Sequence, residues 1–159
     1  MKEIFINLEN NKFRGEVLDV GILDNTIIRE LCMDKIQNER IIYKDKNIKN
    51  SIDTSVLFFS LSLVSTGLFK YKMIKTIHNM MNKDAEIYIW DINKPRNKIF
   101  RKNIKMLLPN KTIKNLKINN LNLINDNSFE RIRKLISNFF EIREVRASDD
   151  VFFIKAIKN

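Results

Sequence analysis

Few residues in this 159-residue chain can take part in cysteine or histidine chemistry. Cys32 is the only cysteine and His78 the only histidine. One cysteine excludes an internal disulfide, and the two residues together are too small a set for a zinc or haem site built from these residue types. His78 stands in a helical pattern with no catalytic motif around it, so we interpret it as a solvated helix-face residue. The sequence predicts no metal site.

Glycine and proline are also scarce, with three and two residues, and we find no linker and no internal repeat. We predict a single domain over 1–159, because this length supports one core of useful size. No apolar run reaches the roughly 18 residues that a membrane span needs. The N-terminus lacks the layout of a secretion signal, so we expect a cytoplasmic protein without a membrane span.

Acidic residues are missing from the stretch between Asp91 and Asp126, which holds nine lysines and arginines in a chain of net charge +10. Two β-compatible runs in this stretch are separated by a Pro-Asn turn signal. They predict a basic β-hairpin inserted at about 96–120.

Clustered cations can bind the phosphates of nucleic acids. Phe100 is the only aromatic residue between Trp90 and Phe129, however, and a single-strand reader usually interleaves aromatic rings with its cations. We therefore interpret the hairpin as a solvated face. Contact with nucleic acid or with a protein partner stays open as an alternative.

The first 90 residues alternate strand-like and helix-like segments, which predicts an α/β fold with a Rossmann-like, doubly wound sheet. The predicted strands are 16–20, 40–45, 53–64 and 85–92, and the predicted helices are 24–36 and 67–81. We expect the second helix to bury Phe69, Met73 and Ile77, and the last of these strands to carry Tyr88 and Trp90 into the core.

The C-terminal part predicts one more helix and a hairpin. A helical stripe over 127–140 has Asn127 and Glu130 at the spacing of a capping box. Two strands, 139–146 and 150–157, follow with a short connection that favours an antiparallel hairpin. The whole sheet is therefore expected to be mostly parallel, with an antiparallel C-terminal hairpin.

The segment "EVLDVG" at 16–21, the strand "IIYKD", the strand "SIDTSVLFFSLSLV" and the strand "AEIYIWDINKP" occur in this order. Their order and spacing resemble the class I S-adenosylmethionine-dependent methyltransferases. The resemblance implies that Asp19 and Gly21 belong to the first cofactor motif and that Asp45 binds the ribose hydroxyls. It also implies that Ser60, at the end of the fourth strand of that family, faces the cofactor and acceptor side together with Ser62.

The sequence departs from the family pattern in the glycine motif and in length. Leu23 and Asn25 stand where the second and third glycines are expected, and Asp24 adds a carboxylate where the cofactor's own carboxylate would approach. Only about ten residues separate Asp45 from the next strand, which implies that an edge strand and a helix of the family are missing.

Two hypotheses of different classes follow from the resemblance. The first is S-adenosylmethionine-dependent methyl transfer to an unknown acceptor, in which positioning replaces a covalent catalytic residue. The second is a catalytically silent relative that works as a binding or regulatory protein through its basic surface. The sequence nominates no catalytic residue in either case.

Overall fold

The computed structural model describes residues 2–21, 31, 36–38 and 50–159. Within these residues the chain forms nine strands, two α-helices and one 3-10 turn. The strands are β1 Glu3–Asn7, β2 Val17–Asp19, β3 Ile36–Asn38, β4 Ile52–Phe58, β5 Met81–Ile92, β6 Phe100–Leu107, β7 Ile113–Asn120, β8 Glu141–Ala147 and β9 Val151–Ile157. The helices are α1 Gly67–Met80 and α2 Phe129–Ser137, and the 3-10 turn is Leu61–Leu63.

The strands form two mixed sheets. The larger has six strands in the order β3-β2-β4-β5-β9-β8, and the smaller has three in the order β1-β6-β7. In the larger sheet the pairs β3-β2, β2-β4 and β4-β5 are parallel, whereas β5-β9 and β9-β8 are antiparallel. The α/β prediction is confirmed, and the C-terminal hairpin lies as expected. The sheet is mixed, with three parallel and two antiparallel pairings.

The two faces of the six-stranded sheet are covered differently. On one face, α1 and α2 pack apolar side chains such as Ile74, Ile77 and Ile136 against β5 and β9. On the other face, the three-stranded sheet contributes Ile104 and Met106 to a second cluster. A doubly wound fold predicts helices on both faces. Among the described residues, the three-stranded sheet covers this second face together with Leu31, which is helical and buried in the same cluster.

The basic hairpin of the sequence is formed by β6 and β7, which pair antiparallel over their whole length. Its other partner is β1, which pairs parallel with β6 from Glu3 to Asn7. Lys102 forms an ion pair with Asp150, in the turn between β8 and β9, and thereby ties the small sheet to the large one.

The end of the predicted helix 24–36 and the predicted strand 53–64 need correction. The strand beside β2 is Ile36–Asn38, so Ile36 does not continue the predicted helix, and 40–45 lies outside the described residues. The strand predicted over 53–64 ends at Phe58, because Phe59 takes a left-handed φ of 56° and the chain then enters the 3-10 turn. An apolar run alone did not reveal this change of direction.

Helix α1 begins where the sequence indicates, with Thr66 as its N-cap accepting a hydrogen bond from the N–H of Phe69 at 3.3 Å. The predicted apolar stripe is partly wrong. Met73 and Ile77 are buried, but Phe69 is 42% exposed and Lys70 is 2% exposed. The burial of Lys70 has a polar cause, which is described with the candidate site below.

The prediction for the cap of α2 and the interpretation of His78 also change. Ser128, not Asn127, is the N-cap of α2, and the first N–H of that helix donates to Asn93 Oδ1 at 3.0 Å. His78 is half-buried, with its ring 5.2 Å from the Phe140 ring, and this burial lowers its pKa. It is therefore a packing residue and not a solvated one.

Tyr88 and Trp90 lie in an aromatic cluster on the side of β5 that faces the small sheet. Trp90 is buried in the core, as predicted, whereas Tyr88 is only partly buried. The Trp90 ring lies 4.7 Å from that of Phe153 and 5.7 Å from that of Phe58. None of the helices described is long and apolar enough to cross a membrane.

Candidate functional site

The carboxyl ends of β2, β3, β4 and β5 lie on one edge of the large sheet, because these strands are parallel. The chain runs from β2 to β3 on one side and then returns to place β4 on the other side of β2. In open α/β sheets, ligands bind in the crevice outside such a reversal of strand order. The candidate site is therefore the edge where β2 ends at Asp19 and β4 ends at Phe58.

Asp19 and Gly21 lie together at the end of β2. The Asp19 side chain is 5% exposed, and burial raises the pKa of its carboxyl to about 6. A Cβ atom added to Gly21 would lie 3.0 Å from Asp19 Oδ1, so glycine leaves room beside this carboxyl. The φ of Gly21 is not positive, and the close approach, not a left-handed turn, explains the glycine.

Ser60 joins this edge from the neighbouring strand. It is buried, and its hydroxyl donates a hydrogen bond to the carbonyl of Val20, between Asp19 and Gly21. The N–H of Val20 donates in turn to the carbonyl of Val56 in β4 at 2.9 Å. The structure therefore brings Asp19, Gly21 and Ser60 together. Asp45, the fourth residue of the predicted site, lies outside the described residues.

The segment after β4 is held in an uncommon conformation. Phe59 has a φ of 56°, which costs free energy in a bulky residue and persists only where the surroundings fix it. Its N–H donates to the carbonyl of Trp90 at 2.7 Å, and its ring packs at right angles to that of Phe58. The strained residue thus directs the chain from the end of β4 into the 3-10 turn.

Asp91 fixes the start of that turn from the neighbouring strand, and sequence reasoning did not identify this role. Its Oδ2 accepts hydrogen bonds from the N–H groups of Leu61 at 2.8 Å and Ser62 at 3.1 Å, and its Oδ1 accepts from Ile92. Burial raises the pKa of Asp91 to about 6, while these donors and the charge of Lys70 oppose the rise. An acid directly after the apolar run "IYIW" was the only signal in the sequence.

Ser62 also lies within the fold and not in the open crevice. Its hydroxyl contacts the carbonyl of Phe59 at 3.4 Å. Its own carbonyl accepts from Asn120 Nδ2 at 2.8 Å and from Asn125 Nδ2 at 2.5 Å. The segment from Phe59 to Ser62 is thus held by β2, by β5, by the last residue of β7 and by the loop after β7.

Two buried lysines hold the loop that follows β7. Lys70 Nζ donates to Asn125 Oδ1, to the carbonyl of Asp126 and to Asn127 Oδ1, at 2.8 to 2.9 Å. Lys94 Nζ donates to the carbonyl of Asn125 at 2.8 Å and to that of Asn122. Burial lowers the pKa of Lys70 to about 8, although Asp91 and Asp126 favour its charge. We call Lys70, Lys94, Asn125 and Asn127 the lysine–asparagine network. It fixes the loop after β7, and Asn125 of this loop contacts the 3-10 turn at Ser62.

The groups described at this edge can bind a ligand and orient it. The hydroxyls of Ser60 and Ser62 donate to backbone carbonyls, and no described histidine lies beside them to act as a base. A carboxyl beside a glycine, next to a fixed backbone turn, can hold and orient a polar ligand. Within the described residues, no group of three or more histidine, cysteine or acidic side chains could hold a metal ion.

Comparisons with known proteins agree on the fold. The N-methyltransferase NodS from Bradyrhizobium japonicum is 9% identical, with a TM-score of 0.59 over 95% of this chain and 89% of that one. A methyltransferase from Mesorhizobium loti is 10% identical, with a TM-score of 0.58 over 94% and 93%. For 1,6-didemethyltoxoflavin-N1-methyltransferase from Burkholderia thailandensis, solved with bound S-adenosylhomocysteine, the identity is 10%, the TM-score 0.59, and the coverage 92% and 72%.

No protein-family model matches the chain, and no curated protein matches it. At these identities the similarity concerns the fold alone. The chain has the fold of the S-adenosylmethionine-dependent methyltransferases.

Proposed function

We propose that this protein binds S-adenosylmethionine at the carboxyl ends of β2 and β4 and directs its methyl group to an acceptor. One observation carries the proposal. In a chain with the methyltransferase fold, Asp19, Gly21 and Ser60 converge at the reversal of strand order, where folds of this kind bind their ligands.

The described residues fit a bound nucleoside cofactor in one specific respect. Gly21 leaves open the space beside the Asp19 carboxyl that a Cβ atom would fill. In the proposal, Asp19 supports the cofactor loop, Ser60 fixes the wall between the two strands, and Asp45 holds the ribose hydroxyls. S-adenosylmethionine, when bound, supplies a methyl group on a sulfonium centre. The protein contributes alignment and exclusion of water, and it needs no covalent intermediate.

A second candidate function is a catalytically silent binding or regulatory protein. Two observations favour it. The Ser60 hydroxyl donates to the carbonyl of Val20, and Leu23 stands where the family has its second glycine, followed by the added carboxylate of Asp24. The carboxylate of Asp24 would repel that of the cofactor.

Calorimetric titration with S-adenosylmethionine and S-adenosylhomocysteine tests the first proposal. We expect saturable heat with the wild-type chain. The variant Gly21→Ala, which places a methyl group against Asp19, is expected to lose at least about tenfold in affinity, since misplacement by a fraction of an ångström weakens a shaped site. Gly67→Ala is the matched control, because its Cβ would meet only the mobile end of Arg131 at 3.3 Å. Absence of heat and of a thermal shift at millimolar ligand removes the proposal.

A second variant separates the two candidate functions. If Leu23 and Asp24 block the loop, the double variant Leu23→Gly, Asp24→Ala gains affinity that the wild type lacks, and the silent protein is favoured. If the wild type already binds, formation of S-adenosylhomocysteine in the presence of fractionated cell extract measures transfer. Binding without any product over a full set of fractions favours the silent protein as well.

A further inference from the structure

The three-stranded sheet has one side on the core and the other in solvent. Side chains alternate along a strand, so directly paired residues share a side. Ile104 and Met106 of β6 are fully buried, and the residues between and beside them point outward. We define the basic sheet face by its polar members, which are Arg101, Asn103, Lys105, Asn115, Lys117 and Asn119.

Three cations lie close together on the basic sheet face. Lys117 is opposite Asn103, so it is the diagonal neighbour of both Arg101 and Lys105, at a Cα distance of about 7–8 Å. Glu3 is the only acid on this side of the three strands, all of whose residues are described, and its Oε2 lies 3.0 Å from Lys105 Nζ. The face keeps a net positive charge, and its cations repel one another unless a polyanion binds.

Phe5, which is distant from the hairpin in the sequence, adds an aromatic ring to the basic sheet face. Phe5 of β1 is 60% exposed and lies opposite Lys105 in the register. The hairpin itself offers no such ring, because Phe100 is buried. Exposed aromatic rings beside cations are the combination on which unpaired bases stack. The pairing of β1 with β6 therefore supplies the exposed aromatic ring that the hairpin lacks.

A groove continues from Phe5 beyond the β1 edge of the face. It has a volume of about 270 Å³ and is lined by Phe5, Asn7, Arg146, Ser148 and Phe153, among others. The Arg146 guanidinium lies 4.5 Å from the centre of the Phe153 ring. An arginine plane over an aromatic ring provides a second surface for a base.

We propose that the basic sheet face binds single-stranded RNA, with phosphates on Arg101, Lys105 and Lys117 and a base on Phe5 at the mouth of the groove. The hairpin strands and β1 form one sheet whose other side packs on the core, and such a sheet surface stacks unpaired bases, so an unpaired strand is the form that fits. The asparagine amides donate and accept hydrogen bonds and suit base edges and the 2′-hydroxyl of RNA. The surface is separate from the proposed cofactor site, and this inference does not rest on methyl transfer.

Fluorescence anisotropy with an unstructured, labelled RNA of about 12 nucleotides tests this inference. The full chain, without cofactor, is compared with the triple variant Arg101→Gln, Lys105→Gln, Lys117→Gln. The control triple Lys72→Gln, Lys75→Gln, Arg133→Gln changes the net charge equally, on exposed positions of α1 and α2. Circular dichroism and thermal unfolding establish that all variants fold.

The face variant is expected to lose at least about tenfold in affinity at about 100 mM salt, and its slope of log K against log salt falls by about 2 in magnitude. The control triple changes affinity by less than about threefold. Phe5→Ala weakens binding by at least about fivefold and leaves the salt slope unchanged.

Equal losses in the two triple variants would overturn the proposal, because binding would then depend on net charge alone. Absence of binding to the wild-type chain would do the same. Equal or tighter binding of a DNA strand of identical sequence contradicts the assignment to RNA. If the wild-type chain binds an acidic peptide but not RNA, and the face variant loses the affinity for the peptide, the face is assigned to a protein partner instead.

Discussion

The hydroxyl of Ser60 donates a hydrogen bond to the backbone carbonyl of Val20, and this contact joins the end of β2 to the segment after β4. Both residues are buried. The neighbouring turn is fixed independently by Asp91, which accepts from Leu61 and Ser62. The candidate site is therefore built on backbone that is held before any ligand arrives, as a positioning site requires.

Ser60→Ala removes the donor to Val20 and leaves a buried carbonyl without it. We expect a loss of about 1–3 kcal/mol in the free energy of unfolding, which urea denaturation measures. Ser137→Ala is the control, since its hydroxyl also donates to a backbone carbonyl, that of Lys134, but at an exposed position. The control should change stability by less than about 0.5 kcal/mol. Equal losses in the two variants would show that the hydrogen bond from Ser60 to Val20 adds nothing to the free energy of unfolding.

Lys70→Met tests the lysine–asparagine network. The substitution leaves three acceptors, on Asn125, Asp126 and Asn127, without their buried donor. We expect a loss of about 2–4 kcal/mol in the free energy of unfolding. Lys72→Met, at an exposed position of the same helix, should stay within about 0.5 kcal/mol of the wild type. A wild-type stability for Lys70→Met would mean that packing alone holds the loop after β7.

Gly15→Ala is expected to be the more destabilising of two glycine substitutions. Gly15 has a φ of 74°, and an added Cβ would collide with the Asp53 carboxylate, which accepts from the N–H of Glu16 at 2.9 Å. The expected loss is about 2–4 kcal/mol, from backbone strain and the displaced hydrogen bond. Gly67→Ala, at the first residue of α1, should be neutral or stabilising by about 0.5 kcal/mol. Equal melting temperatures for the two variants would contradict this assignment.

The raised pKa of Asp19 gives a pH dependence with a definite sign. Burial raises this pKa to about 6, from 3.8. Between these values the folded chain binds more protons than the unfolded one, so this carboxyl favours folding at low pH and loses that contribution as the pH rises through about 6. The Asp19→Asn variant has no titrating carboxyl at this position, so its stability lacks this pH-dependent contribution. The wild type should therefore lose stability relative to the variant as the pH rises from about 4 to about 7, and the difference should level off above that.

Urea denaturation of both proteins at several pH values measures that difference. The comparison with the variant cancels the effects of other titrating groups, Asp91 included. A difference that does not change with pH would show that Asp19 is not buried in solution as described. A difference of the opposite sign would show that nearby donors hold its pKa low.

Local patterns predicted the elements whose causes are local. Helix α1 was found within one residue of its observed end, and strand β5 was found from Ala85 onward although it begins at Met81, because an apolar periodicity lies within each segment. Asp19, Gly21 and Ser60 were nominated through the resemblance to the methyltransferase family, and in the structure they lie at or just after the ends of β2 and β4. Their convergence required only that the strands be parallel neighbours.

The sequence could not reveal features whose partners lie far away in the chain. Strand β1 exists because β6 accepts it, about a hundred residues later. The burial of Lys70 depends on Asn125 and Asn127, and the role of Asp91 depends on the turn after β4. Phe59 ends its strand through a backbone conformation that no hydrophobic pattern records. These features arise from tertiary contacts, on which local propensity gives no information.

The most direct test of the cofactor site is amide mapping by nuclear magnetic resonance. The ¹⁵N-labelled chain is titrated with S-adenosylhomocysteine, and shifts are followed for each backbone N–H. We expect saturable changes at residues 19–21 and 59–62, and none at Arg101, Lys105 and Lys117 of the basic sheet face. Unchanged spectra at millimolar ligand, or changes confined to the basic sheet face, would contradict a cofactor site at the ends of β2 and β4.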